Sequence, residues 1–123
     1  MITVETHDPG YVDERGEIKE ILTAPIRTVL LITAKKGSVR ANHYHKKDVH
    51  WTYVISGSME YYEKRRRLPK IEMVVVKAGQ MVFSASGVTH AMRFLEDSVF
   101  LALTTEPRYH ESYENDTVRV KII

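Results

Sequence analysis

The fold is indicated most clearly by residues 37–57, which read GSVRANHYHKKDVHWTYVISG. Alternate residues of a β-strand point to the same face, so His43 and His45 point in one direction. His50 lies five residues further on and joins them only if the chain has turned into a neighbouring strand. The residues from Lys46 to Asp48 are polar and are suited to that turn. The stretch therefore predicts two strands that bring three imidazole rings together.

A fourth histidine, His90, follows within residues 79–94, which read GQMVFSASGVTHAMRF. Imidazole is the commonest metal ligand in proteins and suits Zn, Fe, Cu and Ni. The chain has no cysteine, which leaves nitrogen and oxygen as the metal donors. The sequence predicts a divalent metal site (Fe, Mn, Ni or Zn) with four ligands, His43, His45, His50 and His90. The alternative is that these histidines bind no metal and act as acid/base groups.

Both segments resemble the two sequence motifs of the cupin family. The positions that match the first motif are Gly37, His43, His45 and Gly57, and His50 stands where the family usually has Glu. The positions that match the second motif are Gly79, Gly87 and His90, while Ala85 and Phe94 replace the usual Pro and Asn. The resemblance implies an all-β jelly-roll barrel, or double-stranded β-helix, formed as a single domain by residues 1–123. It also implies a metal site built from the two motifs, here in a four-histidine form.

The rest of the chain favours the same fold class. No window shows a sustained helical period, and short runs rich in β-branched and aromatic residues alternate with turn residues, as is typical of a sandwich or barrel. The predicted strands are residues 2–6, 18–22, 27–34, 39–45, 50–56, 58–64, 71–76, 81–84, 89–94, 99–104 and 117–122. Gly57 is predicted to form a tight hairpin, and residues 106–116 a loop or a short helical turn.

Strand periodicity also predicts which side chains surround the histidines. If His50 faces inward, Thr52 and Val54 face inward too. Inward-facing His90, Met92, Phe94, Met59 and Tyr61 would complete a mainly apolar pocket. The outward residues of the same strand are Trp51, Tyr53 and Ile55. These are too apolar for a wet face, so they either pack against another part of the chain or form a homodimer interface.

Bulk composition excludes several classes of protein. The formal net charge is +2, with acids and bases interspersed, so nothing indicates nucleic-acid binding. No apolar run is long enough to span a bilayer, and the first residues lack the pattern of a signal peptide. The sequence therefore predicts a cytoplasmic protein with a small-molecule substrate.

Two short segments are similar to stretches of cupins that act on keto-sugar nucleotides. Residues 13–18 read DERGEI and residues 40–45 read RANHYH, with Ala41 where the relatives usually have Gly. The resemblance implies an isomerase or epimerase in which Arg15 and Arg40 bind ligand. It also implies that His43 abstracts a proton next to a carbonyl, with His45 as a possible partner. If all four histidines hold a metal, another group must act as the base, and the candidates are Tyr61 and a metal-bound hydroxide.

Two other functions fit the same residues. A histidine-rich site with open positions also suits a metal-dependent dioxygenase of small enolisable substrates. A non-catalytic cupin that binds a metal or small molecule is the third possibility. The basic run at residues 64–70 is predicted at a hairpin tip, as either a solvated turn or a phosphate-binding patch.

Overall fold

Short strands separated by turns form most of the computed structural model, which describes residues 2–123. The elements are, in chain order, β1 (Val4–Thr6), β2 (Tyr11–Asp13), β3 (Gly16–Ile18), β4 (Thr28–Ala34), β5 (Val39–His45), β6 (His50–Ser56), β7 (Ser58–Lys64), β8 (Ile71–Lys77), β9 (Gln80–Ser84), β10 (Thr89–Phe94), β11 (Ser98–Thr104), α1 (His110–Asp116) and β12 (Thr117–Arg119).

Ten of these twelve strands form two five-stranded antiparallel sheets. The first sheet has the order β1-β9-β6-β11-β4, and the second has the order β12-β5-β10-β7-β8. Strands that follow one another in the chain often lie in different sheets, which is the connectivity of a jelly roll. The predicted all-β jelly-roll fold is confirmed.

The core lies between the two sheets and follows the alternation of the strands. In β6 the side chains of His50, Thr52 and Val54 are almost fully buried, as predicted. The rings of Phe94 and Phe100 stack across the interior, with centroids 5.4 Å apart. The predicted inward positions in β7 and β10 are also buried: Met59, Tyr61, His90, Met92 and Phe94.

The outer face of β6 is only partly covered. Trp51 lies against Phe83 of β9, with ring centroids 5.1 Å apart. Tyr53 is half-buried and has His7 at its ring edge, at 6.4 Å. Ile55 remains 46% exposed. Packing within the chain therefore accounts for two of the three outward residues.

The prediction that Gly57 forms a tight hairpin is wrong. Strands β6 and β7, which Gly57 joins, lie in different sheets, so the chain crosses from one sheet to the other at this residue. Its φ is 90°, and a Cβ there would lie 2.7 Å from the carbonyl oxygen of Asp97. A glycine is required for this crossing because no side chain fits, and a local turn signal does not reveal which sheet the next strand joins.

The strand predicted at residues 18–22 is also wrong. The chain instead forms a small separate hairpin from β2 and β3. The Asp13 carboxylate accepts hydrogen bonds from the backbone N–H of Arg15 and from its guanidinium, and Gly16 follows with φ 137°. These contacts turn the chain back on itself between β2 and β3, so that β3 ends at Ile18, where the predicted strand begins.

Strand β5 contains a bulge that the sequence analysis did not predict. His43 lies opposite His90 of β10, but the next pair is Ala41 with Ala91, so Asn42 is an extra residue in β5. Ala41 and Asn42 have φ values of 69° and 56°, in the left-handed region that glycine and asparagine tolerate best. This conformation gives a physical reason for the glycine usual at position 41 in similar sequences.

The last strand is shorter than the predicted strand at residues 117–122, whereas the short helical turn predicted within residues 106–116 is found. The last strand ends at Arg119, and residues 106–116 contain the short helix α1. The basic run lies at the tip of the β7–β8 hairpin, as predicted. In the described part of the chain, no helix has the length and apolar character to cross a membrane.

Asn42 is expected to tie the final residues to the barrel. Its Oδ1 accepts hydrogen bonds from the backbone N–H groups of Ile122 and Ile123, and its carbonyl accepts one from Val120. We expect Asn42→Gly, which keeps the left-handed backbone but removes the side chain, to lower the free energy of unfolding by about 1–2 kcal/mol. Asn42→Ala should lower it by about 1 kcal/mol more, because alanine is strained at this φ.

Urea denaturation of both variants measures these changes. Asn115→Ala, at an exposed position of α1, is the matched control and should change the free energy by less than about 0.5 kcal/mol. Equal stability of wild type and Asn42→Gly would contradict a role for this side chain.

Candidate functional site

Three strands deliver the four histidines to one place between the sheets. His43 and His45 come from β5, His50 is the first residue of β6, and His90 lies in β10. The ring centroid of His43 lies 4.6 Å from that of His45 and 4.8 Å from that of His90. The ring of His50 is 5.0 Å from His90 and 5.5 Å from His45. The predicted convergence of four imidazoles is therefore found in the structure.

The four rings divide into two overlapping groups. The nitrogen atoms of His43, His45 and His90 that could hold an ion lie within 4.8 Å of one another. His50 belongs to a second such group, which it forms with His45 and the carboxylate of Asp48. The predicted set of four ligands is thus arranged as a group of three and a fourth ring turned toward a carboxylate.

The outer ring nitrogens have partners that fix how the rings point. Nδ1 of His50 lies 3.2 Å from Oδ2 of Asp48, and Nδ1 of His90 lies 3.4 Å from the carbonyl oxygen of Val88. Nδ1 of His45 lies 3.3 Å from the hydroxyl of Thr117. Metal-binding histidines are usually held in this way, through the ring nitrogen that does not face the ion.

One nitrogen in the group of three has no partner. Nε2 of His45 is buried and makes no hydrogen bond with any described residue. A buried polar atom without a partner is rare and costly, and a divalent ion shared with His43 and His90 would provide one. The donor set, three neutral imidazoles, suits Zn or another late divalent metal. The residues present fit a metal ion.

Burial keeps these rings neutral. Burial, reinforced by the neighbouring imidazoles of His45 and His50, lowers the pKa of His43 to about 3. Burial and His50 likewise lower the pKa of His45 to about 4. The pKa of His90 is well below its ordinary value, first because of burial and then because of the other three rings. Neutral imidazoles can bind an ion or accept a proton, so both interpretations of the cluster need this state.

Asp48, which was predicted to lie in a polar turn between two strands, is a further candidate for the site. Only 3% of it is exposed, and its carboxylate accepts hydrogen bonds from the backbone N–H groups of Thr105 and Glu106. Burial alone would raise the pKa of Asp48, but the hydrogen bond from His50 and those from the backbone outweigh it, and the pKa is lowered. Asp48 is therefore an anion at neutral pH. Its position two residues before His50 was a usable signal, since it places the carboxylate close to that ring.

The last residue of α1, Asp116, supports the site from the other side. The carboxylate of Asp116 accepts hydrogen bonds from the backbone N–H groups of Lys47 and Asp48, at 2.7 and 3.1 Å. Its Oδ2 also lies 3.6 Å from Nδ1 of His45. No sequence signal links Asp116 to residues almost 70 positions earlier.

A cavity of about 120 Å³ opens beside the imidazoles. The side chains that line it include His43, His50, His90, Arg40, Arg108 and Tyr113. Arg40 and His43 are three residues apart and would face opposite ways in a regular strand, but the bulge in β5 turns both to the cavity. Arg108 and Tyr113 were not predicted, because a single arginine or tyrosine in a polar segment carries no periodic signal.

Two other predicted site residues lie elsewhere. Arg15 is exposed in the β2–β3 hairpin, where its guanidinium lies 2.7 Å from the Asp13 carboxylate, and it does not line the cavity. Tyr61 is fully buried, and its hydroxyl lies 3.0 Å from Glu63 and 2.7 Å from Ser84. Burial, and then the Glu63 carboxylate, raises the pKa of Tyr61 well above its ordinary value. The Tyr61 ring stacks on His90, behind the cavity.

Solved structures with the same fold include several enzymes of sugar metabolism. A sugar 3,4-ketoisomerase from Thermoanaerobacterium thermosaccharolyticum, solved with TDP, has 21% identity and a TM-score of 0.77, covering 96% of this chain and 87% of its own. A 3,4-ketoisomerase from Helicobacter canadensis has 21% identity and a TM-score of 0.79, covering 96% and 90%. A dTDP-4-dehydrorhamnose 3,5-epimerase from Sulfolobus tokodaii has 18% identity and a TM-score of 0.77, covering 98% and 77%. At these identities, the likeness shows the fold.

No curated protein sequence matches the chain. The family model described as the cupin domain does match, over residues 30–106. This match contains both histidine motifs and more than half of the chain, and the two-sheet jelly roll agrees with it. The chain belongs to the cupin family.

Proposed function

We propose that this protein is an isomerase or epimerase of a keto-sugar nucleotide, which works by removing a proton next to a carbonyl group. The observation that carries the proposal is the hydrogen-bonded pair of Asp48 and His50 at the wall of a small cavity. An imidazole oriented by a buried carboxylate is a common arrangement for a general base. The solved ketoisomerases and epimerase with the same fold support the substrate class.

Proton transfer is assigned to His50 rather than to His43. Asp48 accepts the hydrogen bond of Nδ1–H, so the lone pair of His50 is on Nε2, and His50 lines the cavity. His43 also lines the cavity, but a pKa of about 3 makes its ring a weak base. His45 has a carboxylate nearby in Asp116, yet it does not line the cavity.

The other three histidines would hold a divalent ion. His43, His45 and His90 offer three neutral nitrogens, and the partnerless Nε2 of His45 supports this assignment. Such an ion would supply a Lewis acid that stabilises negative charge on a carbonyl oxygen. Because His50 is held by Asp48, it does not have to use one nitrogen for both ligation and proton transfer.

The reaction begins when Nε2 of His50 takes the proton from the carbon next to the ketone. Removal of that proton leaves an enediolate. Return of the proton to the opposite face of the same carbon gives an epimer. Protonation of the former carbonyl carbon, with transfer of the neighbouring hydroxyl proton to the former carbonyl oxygen, gives an isomeric ketone. The buried wall of Thr52, Met92 and Phe100 keeps water from competing for the carbanion. Arg40, at the same cavity, is suited to an anionic group of the ligand.

Incubation with dTDP-4-keto-6-deoxyglucose in heavy water tests the function. We expect deuterium to enter the sugar at the carbon next to the ketone, as measured by NMR. His50→Asn should slow this exchange by about 100-fold or more, because the base is removed. His110→Asn, at an exposed residue of α1, is the matched control and should exchange at the wild-type rate.

Absence of exchange in the wild-type protein with any keto-sugar nucleotide would discard the proposed function. A larger loss in His45→Asn than in His50→Asn, with wild-type folding of both, would move the base to His45.

Asp48 is expected to act as a positioning residue for His50. Asp48→Asn should lower kcat by about 100-fold or more while KM changes little, because an amide cannot hold the imidazole in the reactive tautomer. Asp97→Asn, at an exposed position, is the matched control. If kcat and KM changed together in proportion to a loss of melting temperature, Asp48 would have only a structural role.

Measurement of metal content tests whether His43, His45 and His90 hold an ion. After treatment with a chelator and reconstitution with Zn, Mn, Ni or Fe, we expect about one ion per chain and a higher melting temperature. His45→Ala and His90→Ala should each lower occupancy sharply, and His110→Ala should not. If the reconstituted wild-type protein held no ion, the histidines would act only as acid/base groups. Bound Fe with oxygen uptake would favour the dioxygenase alternative.

The homodimer stays a prediction. Three apolar side chains on the outer face of the first sheet are consistent with it, since Val29, Leu31 and Ile55 are all exposed.

A further inference from the structure

The side chain of Arg108 has an unusual environment for an arginine. It lies between β11 and α1, is only 19% exposed, and lines the histidine cavity. Its guanidinium carbon lies 4.7 Å from the centre of the Tyr113 ring. Its Nε is buried, and no described residue accepts a hydrogen bond from it. A guanidinium carries five N–H donors, and here the buried one, at Nε, has no acceptor.

The nearest carboxylate, that of Asp48, does not accept a hydrogen bond from Arg108. Oδ2 of Asp48 lies 4.0 Å from Arg108, beyond hydrogen-bond distance. Oδ1 accepts from the backbone of Thr105 and Glu106, and Oδ2 from the ring of His50. A buried N–H without an acceptor is costly even beside an ion pair, and an anion in the cavity would supply the acceptor.

The planar shape of the guanidinium indicates which kind of anion would bind to Arg108. Contact with the face of the Tyr113 ring restrains the guanidinium, and its fork of N–H groups can bind two oxygens of one planar group. The cavity, at about 120 Å³, has room for a group the size of about four water molecules. The ligand part that reaches Arg108 is therefore small, with two adjacent oxygens and negative charge.

We propose that Arg108 is a catalytic residue that binds the enediolate formed in the reaction, by two N–H donors on the two vicinal oxygens. This assignment rests on the proposed function. The base takes the proton, the electrons of the broken C–H bond form a C=C bond, and the π electrons of the ketone move to its oxygen. The new charge forms beside Arg108, and no electrons leave the sugar.

Oxalate is a probe that does not depend on the sugar substrate, because it is planar, small and has vicinal anionic oxygens. We expect metal-free wild-type protein to bind oxalate by calorimetry. Arg108→Gln should weaken binding by about 10-fold or more, and Arg108→Lys, which keeps the charge but loses the fork, should weaken it less. Arg93→Gln, on the outer face of β10, is the matched control and should bind as wild type does. Melting temperatures show whether each variant is folded.

A second experiment, with the sugar substrate, tests the role of Arg108 separately from the proposed function. Arg108→Gln should lower the rate of deuterium exchange into dTDP-4-keto-6-deoxyglucose by about 100-fold, while the Kd for TDP stays within about 2-fold. Exchange at the wild-type rate in folded Arg108→Gln would overturn the assignment and leave the proposed function intact. If the wild-type protein showed no exchange, the proposed function would fail, and oxalate binding would then test the anion site by itself. The anion site would be overturned if oxalate did not bind the wild-type protein, or if Arg108→Gln bound oxalate with unchanged affinity.

Discussion

A neutral imidazole buried between two sheets needs partners for its ring nitrogens, and this requirement organises the site. The partners of His50, His90 and His45 come from three separate places: the turn before β6, the residues leading into β10, and the segment that follows α1. Each contact fixes one ring relative to the barrel. The geometry of the cluster is therefore a property of the whole fold, although the histidines themselves lie in two short motifs.

The division of the four rings resolves a chemical conflict. A ring nitrogen that binds a metal cannot also take a proton, so four equivalent ligands would leave the reaction without a histidine base. A group of three that could hold an ion, beside a fourth held by Asp48, allows both roles in one cavity. The charges are arranged to match, since Asp48 is an anion behind His50, while Arg108 is a cation at the same cavity. A substrate that acquires negative charge during the reaction suits this arrangement.

Local patterns in the sequence predicted much of this structure, because alternation and counted spacing are local properties. The inward face of β6 and the convergence of the histidines followed from them. Asp48 was missed although its spacing from His50 carried the signal, because polar residues near lysines were interpreted as a polar turn. Asp116 and Arg108 could not have been found, since their roles depend on contacts between distant parts of the chain. The crossing at Gly57 has the same cause, because strand pairing is decided by the partner strand.

The bulge in β5 has a consequence for how this family can vary. One additional residue, Asn42, reverses the alternation of inward and outward side chains along the strand. That reversal alone places Arg40 and His43 on the same side. A relative with one residue fewer at this point would turn its equivalent of Arg40 away from the cavity without any substitution. Ligand preference in such barrels can therefore diverge by insertion or deletion of a single residue, with every side chain of the histidine cluster conserved.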